Sequence, residues 1–271
     1  MGRSTAHIPA PQATRHPSSA RSPLRAPTAG AVCNRGHPTP LQPGAGHVVG
    51  LLVMRLYLAS TSPARLTLLR QAGIEPVVVP SNVDEDAAVA AVEAESGPLS
   101  AGALVILLAR LKAEAVQNAL PDGEPIDGFI LGGDSAFEFD GVIYGKPHLP
   151  HVARERWLRH RGRSGVLHSG LWMIDHRLPP ATASEPFPAA GAVTSATVEF
   201  ASDISEAEID AYVATGEPLT VAGAFTIDGL AAPFITHISG APSTVIGMSL
   251  PTLRDLLAEL GVSWTDFWAT A

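Results

Sequence analysis

The sequence predicts an α/β fold, because short apolar runs typical of buried strands alternate with segments whose apolar residues recur at helical spacing. The first such pair is a strand at residues 56–59 and the helix that follows Pro63. Hydrophobic residues make up 46% of the chain, which is enough for a sizeable core. The length of 271 residues allows one large domain or two small ones.

Residues 1–53 differ from the rest of the chain. They contain five arginines but no lysine or acid, so they carry +5 and the remainder carries −13 against a total of −8. Their Pro, Ala, Ser and Gly content cannot bury enough apolar surface to offset ordering entropy, which predicts a disordered extension before a folded domain at 54–271. A start codon assigned too early is one explanation, because Met54 immediately precedes the first predicted strand. A basic arm for nucleic acid or a membrane is another.

The acidic body disfavours nonspecific nucleic-acid binding, but it can still bind a polyphosphate if a divalent metal and a few placed cations offset the repulsion. Cys33 is the single cysteine, which excludes an internal disulfide and a cysteine-based metal cluster and fits a reducing compartment. The apolar stretch at 48–54 is too short for a membrane span and does not resemble a secretory signal.

The first strand leads into a helix that begins with a favourable cap, because Ser62 is a good N-cap and Pro63 suits the first helical position. A helix N-terminus fed by a strand is a natural anion site. Arg65 lies in the first turn, where the helix dipole disfavours a cation unless a phosphate is bound. Without a phosphate, Arg65 is expected to be a solvated surface residue.

The next segments offer further charged candidates. A second strand is predicted at 74–80, and the acids that follow it, including Glu85, are either metal ligands or a solvated loop, the loop being the commoner case. A helix is predicted at 104–120, with Lys112 at the edge of its apolar stripe. Lys112 either extends to water, which is the default, or reaches a buried anion.

The centre of the chain holds the most informative stretch. A buried strand at 129–131 is followed by two glycines that free the backbone, and then by Asp134 at the predicted carboxyl end, where open α/β sheets bind ligands. Asp140-Gly141 predicts a type I′ hairpin that returns the chain to Lys146. A carboxylate and an ammonium can then face one cleft, to hold Mg²⁺ and a phosphate. The alternative is a surface hairpin with solvated charges.

The remaining elements continue the α/β pattern. Ser205 and Glu208 form a capping box that opens a helix ending at Gly216. The other predicted elements are helices at 152–160 and 250–260, strands at 167–174, 193–200, 222–227 and 234–238, and a flexible surface loop at 179–190. Walker A, Gly-x-Ser-x-Gly and HExxH patterns are absent from the sequence, so those enzyme classes are not supported.

A series of motifs, in order, resembles the Maf family of nucleoside triphosphate pyrophosphatases over about residues 54–262. The motifs are Ala59-Ser60-Thr61-Ser62-Pro63-Ala64-Arg65, Pro80-Ser81-Asn82-Val83-Asp84-Glu85, Leu108-Ala109-Arg110-Leu111-Lys112-Ala113, Gly133-Asp134-Ser135, Gly145-Lys146-Pro147, Tyr212-Val213-Ala214-Thr215-Gly216-Glu217-Pro218-Leu219, Ala222-Gly223-Ala224-Phe225 and Ser243-Thr244-Val245-Ile246-Gly247. Each is weak alone, but their ordered combination is highly specific.

The resemblance implies a mixed, twisted central sheet flanked by helices, with an active-site cleft between two lobes as in Maf and ITPase-like folds. It also implies hydrolysis of a nucleoside triphosphate to the monophosphate and pyrophosphate, dependent on a divalent cation, Mg²⁺ or Mn²⁺. By motif position, Asp134 is the catalytic carboxylate, and Asp134 and Glu85 would hold the metal. The positions that handle phosphate are Ser60, Arg65, Lys112 and Lys146, and those that concern the base are Ser135 and Asp228.

The resemblance leaves several readings to be distinguished. The leading one is a cytoplasmic enzyme that clears noncanonical or excess nucleotides; its expected partner is the nucleotide, with no nucleic acid or membrane, and a homodimer is left open. A phosphatase would instead release orthophosphate. A non-enzymatic regulator of cell division, acting through protein partners, would tolerate loss of Asp134. The family commonly has other residues at Ser135 and Asp228, so the preferred base is not predicted.

Overall fold

The computed structural model describes residues 54–178, 180, 182 and 185–268. The predicted extension at 1–53 lies outside these residues, as does part of the predicted loop at 179–190. The described strands are β1 (Leu56–Leu58), β2 (Val77–Val78), β3 (Phe129–Phe139), β4 (Val142–Tyr144), β5 (Ser164–Asp175), β6 (Ala189–Phe200) and β7 (Ile235–Ser239). The described α-helices are α1 (Pro63–Gln71), α2 (Glu85–Ser96), α3 (Ala101–Ala115), α4 (Pro150–His160), α5 (Glu206–Ala214), α6 (Pro242–Ile246) and α7 (Leu250–Glu259).

The seven strands form one mixed sheet, in agreement with the expected fold class. Its order is β2-β1-β3-β5-β6-β7, with β4 also paired to β3. β1 runs parallel to β2 and β3, whereas β3, β5, β6 and β7 pair antiparallel in succession. β1 pairs with the first residues of β3, so the carboxyl end of β1, and of β2 beside it, is directed towards the middle of β3. The helices that follow β1 and β2 begin beyond these carboxyl ends.

β3 is longer than the sequence suggests. The prediction that a strand ends at the glycine pair is wrong, because β3 continues unbroken through Gly132, Gly133 and Asp134. The predicted hairpin is confirmed: Phe139 pairs with Val142, and the two turn residues have φ angles of 53° and 72°, as a type I′ turn requires. Asp134 thus lies in the interior of a strand.

The glycines of this region serve the close packing of α3 rather than a turn. A Cβ on Gly132 would overlap the carbonyl oxygen of Ala109 and lie 2.9 Å from the backbone nitrogen of Ala113, both in α3. A Cβ on Gly170, the partner of Asp134 in β5, would likewise overlap the backbone of α3 at Val105. Both glycines lie on the sheet face that α3 covers, so α3 packs directly on the backbone of β3 and β5.

The opposite face of the sheet carries two apolar clusters. One contains Phe129 and Leu131 of β3 together with residues of α1 and α7. The other contains Phe137 and Phe139 of β3 together with residues of α4 and α5. The residues of β3 between these clusters on the same face are Gly133 and Ser135. Gly133 and Ser135 therefore lie between the two clusters.

Three predictions for local elements need correction. The predicted strand at 222–227 is wrong, since Ala222–Ala224 is a turn of 3₁₀ helix. The second strand is shorter than predicted, since only Val77–Val78 is in register with β1. The acids after it are not a loop: Asp84 caps α2 by accepting a hydrogen bond from the Ala87 amide, and this helix was not predicted. Among the described residues, no helix is long and apolar enough to cross a membrane.

A histidine is buried in the second cluster. His160 ends α4 with 0% of its surface exposed, and neither ring nitrogen has a hydrogen-bond partner among the described residues. Its ring stacks on Phe200 at 4.8 Å and contacts four other aromatic rings. Burial, and then the charges of Arg156, Arg159 and Arg163, lower the pKa of His160 from 6.5 to about 3. The ring is therefore neutral in the folded protein.

We expect Gly132→Ala to destabilise the protein by at least about 2 kcal/mol, because its methyl group would meet the backbone of α3 and force the helix away from the sheet. Chemical denaturation measures the loss. Gly145→Ala is the matched control, since nothing lies within 4 Å of a Cβ there. Equal stability of the two variants would show that α3 does not depend on contact at Gly132.

We expect His160 to make stability depend on pH. The unfolded chain takes up a proton near the ordinary pKa of 6.5 and the folded protein only near 3, so stability is lost as pH falls through this window. His160→Phe should remove about 2–3 kcal/mol of the loss between about pH 7 and about pH 4.5. Denaturation curves at several pH values measure it, with the exposed His237→Phe as control. A pH dependence unaltered in His160→Phe would contradict this expectation.

Candidate active site

The candidate site lies at an unpaired segment of β3. β5 pairs with β3 along one edge from Phe129 to Glu138. On the other edge, β1 pairs with residues 129–131 and β4 with residues 137–139. No described strand covers residues 132–136 on this edge. Asp134 is the middle residue of this open segment, and the chain leaves β1 at Ser60 next to it.

Arg65 reaches this segment from the first turn of α1, and it is not the solvated residue expected from the sequence. Only 8% of Arg65 is exposed. Its Nε donates to the carbonyl oxygen of Gly247 at 2.9 Å, Nη1 to Ser60 Oγ at 3.1 Å, and Nη2 to Ser135 Oγ at 3.1 Å. All three acceptors are neutral. A guanidinium has five N–H groups, so two remain without a side-chain or backbone acceptor among the described residues.

The surroundings of Arg65 are those of an anion receptor. Burial lowers the pKa of its guanidinium, while the negative charges of Asp134 and Glu85 act in the opposite direction. No carboxylate is hydrogen-bonded to it among the described residues, although a buried charge is costly unless paired. Arg65 also lies at the start of a helix whose free amides favour an anion. A bound phosphate group would relieve both penalties.

Lys112 holds the two acids of the site together from the other face of the sheet. Its Nζ lies 2.7 Å from Asp134 Oδ1 and 2.9 Å from Glu85 Oε1. The exposed fractions of the three side chains are 10% for Lys112, 14% for Asp134 and 48% for Glu85. Lys112 therefore reaches a buried anion and does not extend to water, so the default expectation for it is wrong.

Asp134 has the electrostatic character of a functional acid. Burial raises its pKa above the ordinary value, against the opposing effects of Lys112 and Arg65 and with a smaller contribution of the same sign from Glu85. An ionised carboxylate here is thus held at a cost in stability and kept by two nearby cations. Such groups cluster at active sites, where a raised pKa suits a proton acceptor.

Two of the predicted site residues are not brought into this cluster by any contact among the described residues. Lys146 is exposed; it follows β4, whose direction carries the chain back towards the Ser135 level of β3. Asp228 is also exposed, in the loop after Thr226. That loop is held by Glu217, which accepts hydrogen bonds from Thr226 Oγ1 at 2.6 Å and the Leu230 amide at 3.0 Å. The roles of Lys146 and Asp228 stay predictions.

One group of the site was missed by the sequence analysis as a ligand of Arg65. It is the carbonyl oxygen of Gly247, which also accepts a hydrogen bond from Ser135 Oγ at 3.2 Å. Gly247 ends α6 with φ at 139°, a conformation that residues with a side chain rarely adopt. A backbone carbonyl leaves no mark on residue type. The sequence signal was the motif Ser243-Thr244-Val245-Ile246-Gly247, which marks the segment but gives no role to the carbonyl group.

Comparison with known proteins identifies a family. The model of the family described as Maf-like protein matches residues 55–260. A protein of Leifsonia xyli named nucleoside triphosphate pyrophosphatase is 66% identical over 80% of this chain and 98% of its own length. Proteins with the same name from Salinispora tropica and Nocardia farcinica are 51% and 46% identical, over 81% and 79% of this chain and 90% and 96% of their own.

A solved structure, that of the Staphylococcus aureus Ham1 protein, covers 55% of this chain and 72% of its own at 14% identity, with a TM-score of 0.31. This likeness is too slight to inform the site.

We expect Lys112→Met to lose stability relative to the original chain as pH rises above the ordinary pKa of the Asp134 carboxyl group. Lys112 lowers the pKa of Asp134, so removal of the ammonium raises this pKa further in the folded protein. The folded state then holds a proton on Asp134 over a pH range in which the unfolded state has already lost it. Stability therefore falls as pH rises through this range. Denaturation at several pH values measures this. Arg110→Met, on the exposed side of α3, should show no such trend. A pH-independent difference in Lys112→Met would contradict the pairing.

Proposed function

The chain belongs to the family of Maf-like proteins, and we propose that it hydrolyses nucleoside triphosphates to nucleoside monophosphates and pyrophosphate. The observation that carries this proposal is the pair of buried cations, Arg65 and Lys112, on either side of Asp134 at the open segment of β3. A triphosphate needs cations that are not already neutralised, and the acceptors that Arg65 has in the described part of the chain are all neutral. The reaction also needs an acid, which Asp134 supplies.

Each residue of the site has its own role in the proposed reaction. Arg65 and the start of α1 bind the phosphate chain, with two N–H groups of the guanidinium free for a bidentate contact. Asp134 accepts a proton from a water molecule, whose oxygen bonds to the α-phosphorus while the bond from this phosphorus to the bridging oxygen breaks. Pyrophosphate leaves with that oxygen. Lys112 holds Asp134 and Glu85 in place and offsets negative charge that develops on the phosphoryl oxygens.

A divalent cation, Mg²⁺ or Mn²⁺, fits the donor set of the site. Asp134 and Glu85 lie close together, since Asp134 Oδ1 and Glu85 Oε1 both lie within hydrogen-bond distance of Lys112 Nζ, and the carboxylate oxygens not bonded to Lys112 would hold the cation. Mg²⁺ in nucleotide enzymes is held by one or two carboxylates together with substrate phosphates. Among the described residues no group of three or more His, Cys, Asp or Glu could hold a metal, so the substrate would supply the other ligands. Bound there, the cation would polarise phosphoryl oxygens.

The proposed role is the removal of noncanonical or excess nucleotides, and the proposed compartment is the cytoplasm, where free nucleotides and divalent cations occur together. Asp228 and Lys146 are proposed to contact the base and the phosphates once a nucleotide is bound. Support for Lys146 comes from the direction of β4, which points towards the open segment of β3. Support for Asp228 comes from its exposure on a loop anchored at both sides by Glu217.

The test is a panel of nucleoside triphosphates with Mg²⁺ or Mn²⁺, in which pyrophosphate and orthophosphate are measured separately. Pyrophosphate as the product supports the proposal. Orthophosphate would indicate a phosphatase instead. Absence of both products over the whole panel would favour a regulator that acts through protein partners.

We expect Asp134→Asn to lower turnover by about 10²–10⁴-fold, because the amide keeps the shape of the side chain but cannot accept the proton. The melting temperature should stay close to the original, since burial already disfavours the ionised carboxylate. Pyrophosphate release and a melting curve are measured on one preparation. Glu138→Gln, an acid four residues along β3 and more exposed, is the control and should keep full turnover. A folded Asp134→Asn protein with near-original turnover would remove Asp134 from the chemistry.

A further inference from the structure

The hydroxyl of Ser135 donates its one hydrogen and accepts one hydrogen bond within the protein. Its oxygen accepts a hydrogen bond from Arg65 Nη2 at 3.1 Å, and its one hydrogen is directed to the carbonyl oxygen of Gly247 at 3.2 Å. A serine hydroxyl has a single hydrogen to donate. Ser135 therefore has no donor left for a nucleotide base, although its position after the acid had suggested base recognition.

These two hydrogen bonds make Ser135 part of the support of Arg65. The Nε and Nη2 groups form one side of the guanidinium, and they meet Gly247 and Ser135, which are themselves bonded to each other. Ser60 holds Nη1. Without the Ser135 hydroxyl, the guanidinium keeps its hydrogen bonds to Gly247 and Ser60 but can tilt about the bond between Cδ and Nε. The two unused N–H groups would then lose their fixed direction.

Ser135 also lies on the wrong side of the strand to act through Asp134. Successive side chains of a strand point to opposite faces. Asp134 faces α3 and Lys112, whereas Ser135 faces Arg65 and α6. Its nearest chemical neighbour is thus the phosphate-binding arginine and not the acid.

We propose that Ser135 is a positioning residue that fixes the guanidinium of Arg65 for the phosphate chain of the substrate, and that it does not read the base. This proposal rests on the proposed function, because it takes the polyphosphate as the ligand of Arg65. It assigns base discrimination to residues other than Ser135. Substitutions at Ser135 should consequently affect every nucleotide alike.

The experiment compares Ser135→Thr with Ser135→Val, which have the same shape and differ only in the hydroxyl. Both are β-branched and suit a strand. The probe is inorganic tripolyphosphate, which has no base, and its affinity is measured by calorimetry without turnover. We expect Ser135→Thr to bind it nearly as tightly as the original chain and Ser135→Val about tenfold more weakly, as for loss of a hydrogen bond to a charged group.

Two further measurements test the mechanism. In Arg65→Lys, which lacks the forked guanidinium, exchanging Thr for Val at position 135 should have little effect on tripolyphosphate affinity, because the two residues act as one unit. Ser169→Ala is the matched control. Ser169 pairs with Ser135 in the sheet and is buried, but its Oγ has no hydrogen-bond partner among the described residues, so its loss should leave tripolyphosphate affinity unchanged.

Turnover on the nucleotide panel separates the two roles of Ser135. A uniform loss of kcat/KM in Ser135→Val, the same for every base, supports positioning. Equal tripolyphosphate affinity in Ser135→Thr and Ser135→Val, with a changed ratio between bases, would overturn it. If the original chain hydrolyses no nucleotide yet the Val variant binds tripolyphosphate more weakly than the Thr variant, the support of Arg65 stands and the proposed reaction alone fails.

Discussion

Direct contact between α3 and the backbone of the sheet is the constraint on which the rest of the site depends. Gly132 and Gly170 remove the side chains that would separate helix from strand. The turn of α3 that meets Gly132 is the turn that carries Lys112, so its ammonium reaches Asp134, two residues further along β3. Because interiors are close-packed, a helix at the ordinary distance from the sheet would leave this pair apart.

The two cations of the site are held in opposite ways. Lys112 is paired with two carboxylates, whereas Arg65 is surrounded by neutral oxygens, and burial lowers the pKa of its guanidinium. A buried cation paired with carboxylates, as Lys112 is, favours stability, whereas a buried cation with neutral partners, as Arg65 is, opposes it. Proteins keep such locally unfavourable groups where function requires them. The charge that the fold leaves unmatched is therefore the best indicator of what the site binds.

The sequence predicted local features well and tertiary ones poorly. The cap at Ser62, the capping box at Ser205 and the hairpin at Asp140 were correct, because each depends on a few adjacent residues. The ends of β3 and the burial of Arg65 and Lys112 were missed, since they depend on partners distant in the chain. The grouping of Ser60, Arg65, Lys112, Glu85 and Asp134 followed only from ordered motifs. Gly247 also ends one of these motifs, but residue type does not reveal that its backbone carbonyl accepts hydrogen bonds from Arg65 and Ser135.

The open edge of β3 also bears on the solubility of the protein. Unpaired strand edges invite strands from other molecules and so promote aggregation. Here the unpaired stretch covers only residues 132–136, of which Gly132, Gly133 and Ala136 are buried, and β1 and β4 close it at both ends. An incoming strand would need to fit between two existing ones, and five residues offer it few hydrogen bonds. The fold can thus leave one edge of β3 unpaired without offering it to another chain.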